Sequence, residues 1–203
     1  MLENRLRFFK PNRFLRELFV LLGFEANPRM SQHDIARIAG ISSSMAHNYV
    51  KSFVDEGWIT VQGETNRTMQ YLVSAAGKEH AQELLTLYSA DVVHLYVIAK
   101  RAFEQKLQNL YQQGLHTAVL FGAAETGELV YNAARHTPLR IVGVVDNDTA
   151  KQHLRFGELV VSPPSIIEHL RPDGVIITTF GRPEEIYQEI KHFRDQGIAI
   201  IRL

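Results

Sequence analysis

The chain contains no cysteine, and that single absence removes several architectures. Neither a disulfide framework nor a thiolate metal site can be built, and any redox response must work without thiol chemistry. Tryptophan occurs once. No apolar run approaches the ~20 residues needed to span a bilayer. The opening MLENRLRFFKPNRF is basic but lacks the apolar centre and cleavage site of an export signal, so a cytoplasmic protein is expected. The nine histidines include no HxH or HExxH pair, the spacing that would suggest a metal centre. No serine elbow and no conspicuous carboxylate pair stands out either, so no catalytic residues are assigned and an enzyme is not the expected class.

What is present is ordinary in amount: 45% hydrophobic and 22% charged residues, the balance of a globular protein. The length of 203 residues suits one large domain or two small ones. A formal net charge of zero hides an asymmetry. Residues 1–78 hold 10 Lys/Arg against 7 Asp/Glu, and the remainder holds 12 against 15. The excess gathers at Arg5, Arg7, Lys10, Arg13, Arg16 and Arg29. A basic first half suits phosphate contact, and equally a solvated face.

Along the chain, RFLRELFVLLG (13–23) reads as an apolar helix that Asn27-Pro28 breaks. Ser31 and Asp34 have the spacing of a capping box, with Asp in place of Glu or Gln. A second helix follows over 35–39, and Gly40-Ile41 turns the chain. Ser42 is placed to cap a third helix, whose inward positions are Ala46, Val50 and Phe53 and whose closing glycine is Gly57. Two strand candidates, 58–61 and 69–73, flank the polar tip QGETNRT. From Ala75 to about Gln113 one helical pattern persists, with Leu84, Tyr88, Val92, Leu95, Ala99, Phe103, Leu107 and Leu110 at three- and four-residue steps. Unbroken, 34 residues of helix reach ~50 Å. The seam is too apolar for water, so it is expected to link the halves and pair with a second copy; two shorter helices packed within one subunit are the alternative. After Gly114, strands at 117–121, 140–146, 174–179 and 198–202, with a weaker one near 159–161, alternate with helices at 126–136, 163–170 and 183–195. That alternation implies a parallel sheet covered on both faces, though short of the six strands of a full dinucleotide fold. The expected domains are 1–78, a linking helix 79–114, and 115–203.

Residues 31–73 therefore have the pattern of a helix-turn-helix with a wing, in which the second helix presents its first turns to the major groove of double-stranded DNA. With the inward positions subtracted, that surface carries Ser43, Ser44, His47, Asn48 and Lys51. Asn48 can pair bidentately with adenine, the serines can reach bases or phosphates, and Lys51 suits a phosphate. Asn66 and Arg67 on the wing can reach the minor groove or its backbone. His47 is as easily a surface histidine, and the same fold can serve protein contacts. HDIARIAGISSSMAHNYVKSFVDEGWI and the following YLVSAAGKEHAQEL resemble the MarR-type winged-helix regulators, over roughly residues 13–85.

A second device follows. VLFGAAETG (119–127) leaves a strand and opens a helix in the register of the G-x-G-x-x-G dinucleotide turn, with Gly122 and Gly127 in place and Ala124 in the middle. The Ala124 methyl narrows the space for a pyrophosphate, while N–H groups at the helix start, around Glu125 and Thr126, still favour an anion. Asp146 ends the next strand, where an acidic side chain accepts from ribose hydroxyls and repels a 2′-phosphate, so NAD fits better than NADP. Thr179 and Arg182 lie at the end of a further strand, the edge at which such sheets bind ligands. A sheet turn without a ligand is the plain alternative. Tyr96 and Lys100 have the Tyr-x-x-x-Lys spacing of short-chain dehydrogenases, but precede the nucleotide turn and read as ordinary helix residues.

The winged helix followed by this turn resembles the redox-sensing Rex repressors, which join a winged helix to an NAD(H)-binding Rossmann domain. Gly122, Gly127 and Asp146 match that family's cofactor positions. Ala124, the long helix and the closing strand at 198–203 depart from it. FGAAETGEL…IVGVVDNDTAKQ also resembles the small Rossmann-like domains of bacterial sugar-modifying proteins, which handle nucleotide-sugars. The expected fold is an α+β winged helix-turn-helix plus an α/β Rossmann-like parallel sheet, joined by a long helix. The expected function is a homodimeric, ligand-responsive DNA-binding regulator that takes NAD(H) or another nucleotide-type ligand. A small nucleotide-sugar or NAD-dependent enzyme with an accessory winged helix, or a protein-binding scaffold, are the rivals.

Overall fold

The computed structural model describes residues 11–65 and 68–203. The chain divides into two compact units, residues 1–94 and 95–203. The first is a winged helix. Helix α1 (Arg13–Ala26) starts where the Asn12 side chain accepts the Leu15 N–H. Helix α2 (Gln32–Ala39) starts at Ser31, whose hydroxyl accepts from Asp34 N–H and donates to the Asp34 carboxylate. The capping pair thus forms, with aspartate too short for the full reciprocal box. Gly40 closes α2 in the left-handed region, with φ of 64°. Helix α3 (Ser43–Asp55) is capped by Ser42 and ends in a paired return: Gly57 N–H bonds to Val54 O and Trp58 N–H to Phe53 O. The contact that accompanies such an ending is there too, with the Phe53 and Trp58 rings 5.3 Å apart. Strands β1 (Ile59–Gln62) and β2 (Gln70–Val73) pair antiparallel to form the wing.

These elements enclose one core that includes Leu18, Leu21, Phe24, Ile35, Val50, Phe53, Ile59 and Tyr71. Ala81 and Leu84, in the first turns of α4 (Ala75–Gln112), complete it. Gly77 is required here: a Cβ would lie 2.1 Å from the Trp58 carbonyl oxygen. Helix α4 is continuous over 38 residues, about 57 Å at 1.5 Å per residue, so the two-helix alternative falls. Its apolar seam is not all available to a second copy. Leu84 is buried in the first core, Leu107 is buried in the second, and Phe103 and Leu110 pack against that second core. Within the described residues no helix is long and apolar enough to cross a membrane.

The second unit is a six-stranded sheet of order β5-β6-β4-β3-β7-β8. Its strands are β3 (Thr117–Phe121), β4 (Arg140–Val145), β5 (Arg155–Phe156), β6 (Leu159–Ser162), β7 (Gly174–Ile177) and β8 (Ala199–Arg202). Five run parallel, and β5 pairs antiparallel with β6. The sixth strand corrects the expected count. At two residues it is too short for any periodic signal, and it forms only because the chain folds back at Gly157, with φ of 61°. Buried strand residues alternate between two cores. Ala118, Leu120, Val144 and Ile176 face the end of α4 and α5 (Glu125–Ala134), while Val119, Phe121, Val175 and Ile177 face α6 (Ile167–Leu170) and α7 (Pro183–Ile190). Both faces are covered, as parallel sheets require. The predicted helices at 163–170 and 183–195 each include a 3-10 stretch, Pro164–Ile166 and Lys191–Gln196. Strand order reverses direction at β3, so β3 and β7 border the crevice where open α/β sheets take ligands.

Candidate functional site

On α3 the division of labour is complete. Ala46, Val50 and Phe53 are buried, and Ser43, Ser44, His47, Asn48 and Lys51 are all exposed. The five candidate DNA contacts therefore share the solvent side of one helix without contributing to its core. The face is wider than the expected set. Met45 and Ser52 are exposed on it too, and with Arg13, Glu17, Asn48 and Tyr49 they line a groove of about 270 Å³. Glu17 is nearly buried and fixes Arg13, with Oε1 2.8 Å from the guanidinium Nε. Its other oxygen lies 3.7 Å from His80 Nε2, and the His80 ring stacks on Trp58 at 3.8 Å. Arg13 thus adds an anchored, exposed cation beside Asn48. Sequence alone could have found it only by pairing Arg13 with Glu17 at i,i+4. Asn66 and Arg67 lie outside the described residues.

In the second unit, the ends of β3, β4 and β7 converge. Gly122 has φ of 121° and donates its N–H to Val145 O at 2.8 Å. The Thr178 hydroxyl lies 2.8 Å from Gly122 O and 3.0 Å from Phe121 O. Gly127 lets α5 lie against β3, since a Cβ there would be 2.3 Å from Gly122 O. That is the close helix–strand approach expected of the third glycine. Ala124 is the N-cap of α5 and makes no side-chain cap bond. Glu125 and Glu128 occupy the first turn, where acids balance the helix dipole and oppose an incoming anion.

Asp146 has partners that sequence reasoning missed. Its Oδ2 accepts the Ala123 N–H at 2.8 Å and lies 3.2 Å from Lys151 Nζ, while Oδ1 accepts the Asp148 N–H at 2.9 Å. Burial pushes this carboxyl up, but the two backbone donors and the Lys151 ammonium outweigh it and hold the group below the usual carboxylate range. The carboxylate expected to face a ribose therefore already ties the glycine turn to the loop after β4. Gln152 Nε2 donates to Asp146 O, and Asn147 Nδ2 donates to Glu189 of α7 at 2.7 Å. Asp146 and Asp148 each accept an N–H two residues on, an Asx-turn arrangement.

Thr179 accepts the Gly181 N–H, and Arg182 is exposed with Nη1 3.8 Å from Glu185. Phe180 between them is 68% exposed. A larger surface depression, about 580 Å³, is lined by Glu168, His169, Arg171 and Gln196. Those residues lead into β7 and β8, so the depression lies away from the edge where the strands end and ligands bind.

A family model described as winged helix-turn-helix DNA-binding matches residues 24–60. One described as C-methyltransferase C-terminal domain matches residues 59–203. No curated protein matches the chain. Among solved structures, a MarR family protein of Mycobacterium tuberculosis in complex with salicylic acid is 19% identical, over 47% of this chain and 76% of that one, with a TM-score of 0.37. RSP in complex with beta-NADH is 12% identical, over 94% and 84%, with a TM-score of 0.36. UDP-D-quinovosamine 4-dehydrogenase from Vibrio fischeri is 12% identical, over 44% and 79%, with a TM-score of 0.39.

Proposed function

The chain belongs to the C-methyltransferase C-terminal domain family and carries a winged helix-turn-helix match ahead of it, and we propose that it is a DNA-binding regulator whose α/β unit takes a nucleotide-type ligand. The observation that carries the reading is α3, where Ser43, Ser44, His47, Asn48 and Lys51 stand in solvent over a filled core. A polar helix face backed by a wing is what major-groove reading needs. The ligand edge comprises the turn Gly122–Gly127, including Ala124, Glu125 and Thr126, together with Asp146, Thr179 and Arg182. NAD(H) is the first candidate. Two copies act together, and ligand binding shifts the population towards one spacing of the two α3 helices, to match or miss half-sites about 34–36 Å apart.

The test has two arms. Selection from random duplexes followed by gel-shift titration should yield a preferred sequence, and binding without any sequence preference would defeat the regulator. A thermal-shift panel of NAD, NADH, NADP, coenzyme A and nucleotide-sugars should single out one ligand class, since a ligand at 100 times its Kd stabilises by about 2.7 kcal/mol.

A second reading concerns the ligand, and the family match over residues 59–203 favours it. With the carboxylate engaged by Ala123, Asp148 and Lys151, and acids in the first turn of α5, a pyrophosphate at the glycine turn meets little positive charge. A nucleotide-sugar, which carries the same diphosphate, is the alternative occupant in a unit allied by family to methyltransferases, and turnover of such a sugar would make the chain an enzyme. The ligand panel separates the two: a thermal shift with nucleotide-sugars and none with NAD or NADH speaks for the sugar. Ala124→Gly tests the turn itself: if the methyl crowds a pyrophosphate, glycine should tighten binding of either ligand in calorimetry, and unchanged or weaker binding takes the diphosphate away from the turn.

A further inference from the structure

On α3, a step of three residues turns about 60° around the helix axis, so Met45, Asn48 and Lys51 cross its exposed face from one flank to the other. The first flank, with Met45, Asn48, Tyr49 and Ser52, forms one wall of the groove of about 270 Å³ whose other wall is Arg13 and Glu17 of α1. Lys51, with Ser43 and His47, stands on the opposite flank and does not line that groove. The exposed face of α3 therefore has a cation at each side, one its own and one supplied by α1, with Asn48 between them.

The cation from α1 is held in place. Glu17 is nearly buried, and its Oε1 accepts from Arg13 Nε at 2.8 Å. Its other oxygen lies 3.7 Å from His80 Nε2, and that ring is in turn stacked on Trp58. The acid is gripped from behind while the base stands outermost, with side chains 5% and 75% exposed, so an approaching anion meets the guanidinium first. Among the described residues the pairing uses Nε, and the Nη1 and Nη2 end of the fork remains to give two parallel hydrogen bonds to a phosphate. A side chain already ordered loses less freedom on contact than a loose one. A helix in the major groove has a phosphate backbone along each flank, and phosphate contacts fix its register over the bases. We infer that Arg13 contacts a backbone phosphate of one DNA strand and Lys51 one of the opposite strand, a two-sided clamp that centres Asn48 over the base pairs. The inference rests on the DNA-reading face proposed above and adds to it a residue of α1, its positioning partner Glu17 and the strand each cation touches.

Arg13→Ala alone would leave the Glu17 carboxylate buried without its cation, so the decisive variant is Arg13→Gln combined with Glu17→Gln. It removes both charges of the pair, leaves the net charge as it was, and keeps a donor opposite an acceptor. With its fold checked by circular dichroism, it should bind the preferred duplex and its mismatched relatives alike about five- to tenfold more weakly, with the salt slope reduced by about one. Arg13→Lys, which keeps a cation over Glu17, should keep the salt slope. Ethylation interference on the preferred duplex then reads the strands. One phosphate whose ethylation blocks the parent should become indifferent in the double variant, and one on the opposite strand should become indifferent in Lys51→Ala. A double variant that binds as tightly as the parent, or losses that fall on the same strand, overturns the clamp while leaving α3 as the reading helix. A parent with no preferred duplex overturns that reading and the clamp with it.

Discussion

On α3, Ala46, Val50 and Phe53 are buried while Ser44, Asn48 and Lys51 stand in solvent, so the residues that fold the helix and those that would read DNA are different sets. At the glycine turn of the α/β unit the sets coincide. Gly127 packs α5 onto β3, Gly122 bonds to Val145, and Asp146 ties the turn to the loop after β4. In the first unit, binding and folding should therefore separate under mutation; in the second they should fall together.

The sharpest challenge to that contrast is Gly127→Val. A Cβ there already meets Gly122 O at 2.3 Å and the Phe156 ring at 3.2 Å, so α5 must move off the sheet. Denaturant unfolding should show a loss of about 3 kcal/mol. Hydrogen exchange should quicken in β3, α5 and β4 with protection in α1–α3 unchanged. A variant as stable as the parent would mean the helix–strand approach is looser than described.

Asp146 and Asp173 sharpen the comparison within one sheet. Asp173 Oδ2 accepts from His116 N–H, Thr117 N–H and the Thr117 hydroxyl at the edge where β3 begins. Asp146→Ala leaves a part-buried backbone donor unpaired and should cost about 1–3 kcal/mol, while Asp173→Ala removes exposed bonds that water can replace and should cost about 1 kcal/mol. Only Asp146→Ala should also weaken the nucleotide-type ligand in calorimetry; equal binding by the two variants would remove Asp146 from the ligand edge. The Thr117 hydroxyl and N–H hold the Asp173 carboxyl low, as backbone donors and Lys151 hold that of Asp146. As pH falls, the unfolded chain takes up these protons first, near the ordinary aspartate range of ~3.9. The stabilisation is complete above that range and lost as pH drops through the lower folded values. Acid titrations of both variants should show a flatter low-pH limb than the parent, and an unchanged limb would count against this account.

The mildest effects on folding belong to α3. Asn48→Ala should leave thermal stability almost unchanged, yet cost about 1–3 kcal/mol on the preferred duplex and relax one base position. Lys51→Ala should weaken all duplexes alike and reduce the salt slope by about one. If gel-shift titrations show neither effect, α3 is not the reading helix.

Much of the first unit was legible because its signals are local. Ser31, Ser42, Gly40 and Gly57 act within five residues of themselves, and side-chain type alone reports such caps. Arg13 escaped notice as a neighbour of Asn48 because that meeting joins two helices. In the second unit, the roles of Gly122 and Gly127 followed from turn geometry, whereas the partners of Asp146 did not. Ala123 lies 23 residues away in sequence, and β5 exists only against β6.

The sequence by itself determined the two fold classes, the long helix, the buried positions of α3 and the closeness of α5 to β3, because periodicity, caps and glycines act over one or two turns of chain. Only the tertiary structure decided that Asp146 is engaged at its own turn and that the two ends of the α4 seam each join a core while Tyr88, Val92 and Leu95 between them stay exposed. A carboxylate can face a ligand or a neighbouring N–H from the same position, and a helix carries several apolar stripes of equal period. Packing against chain far off in sequence chooses between them.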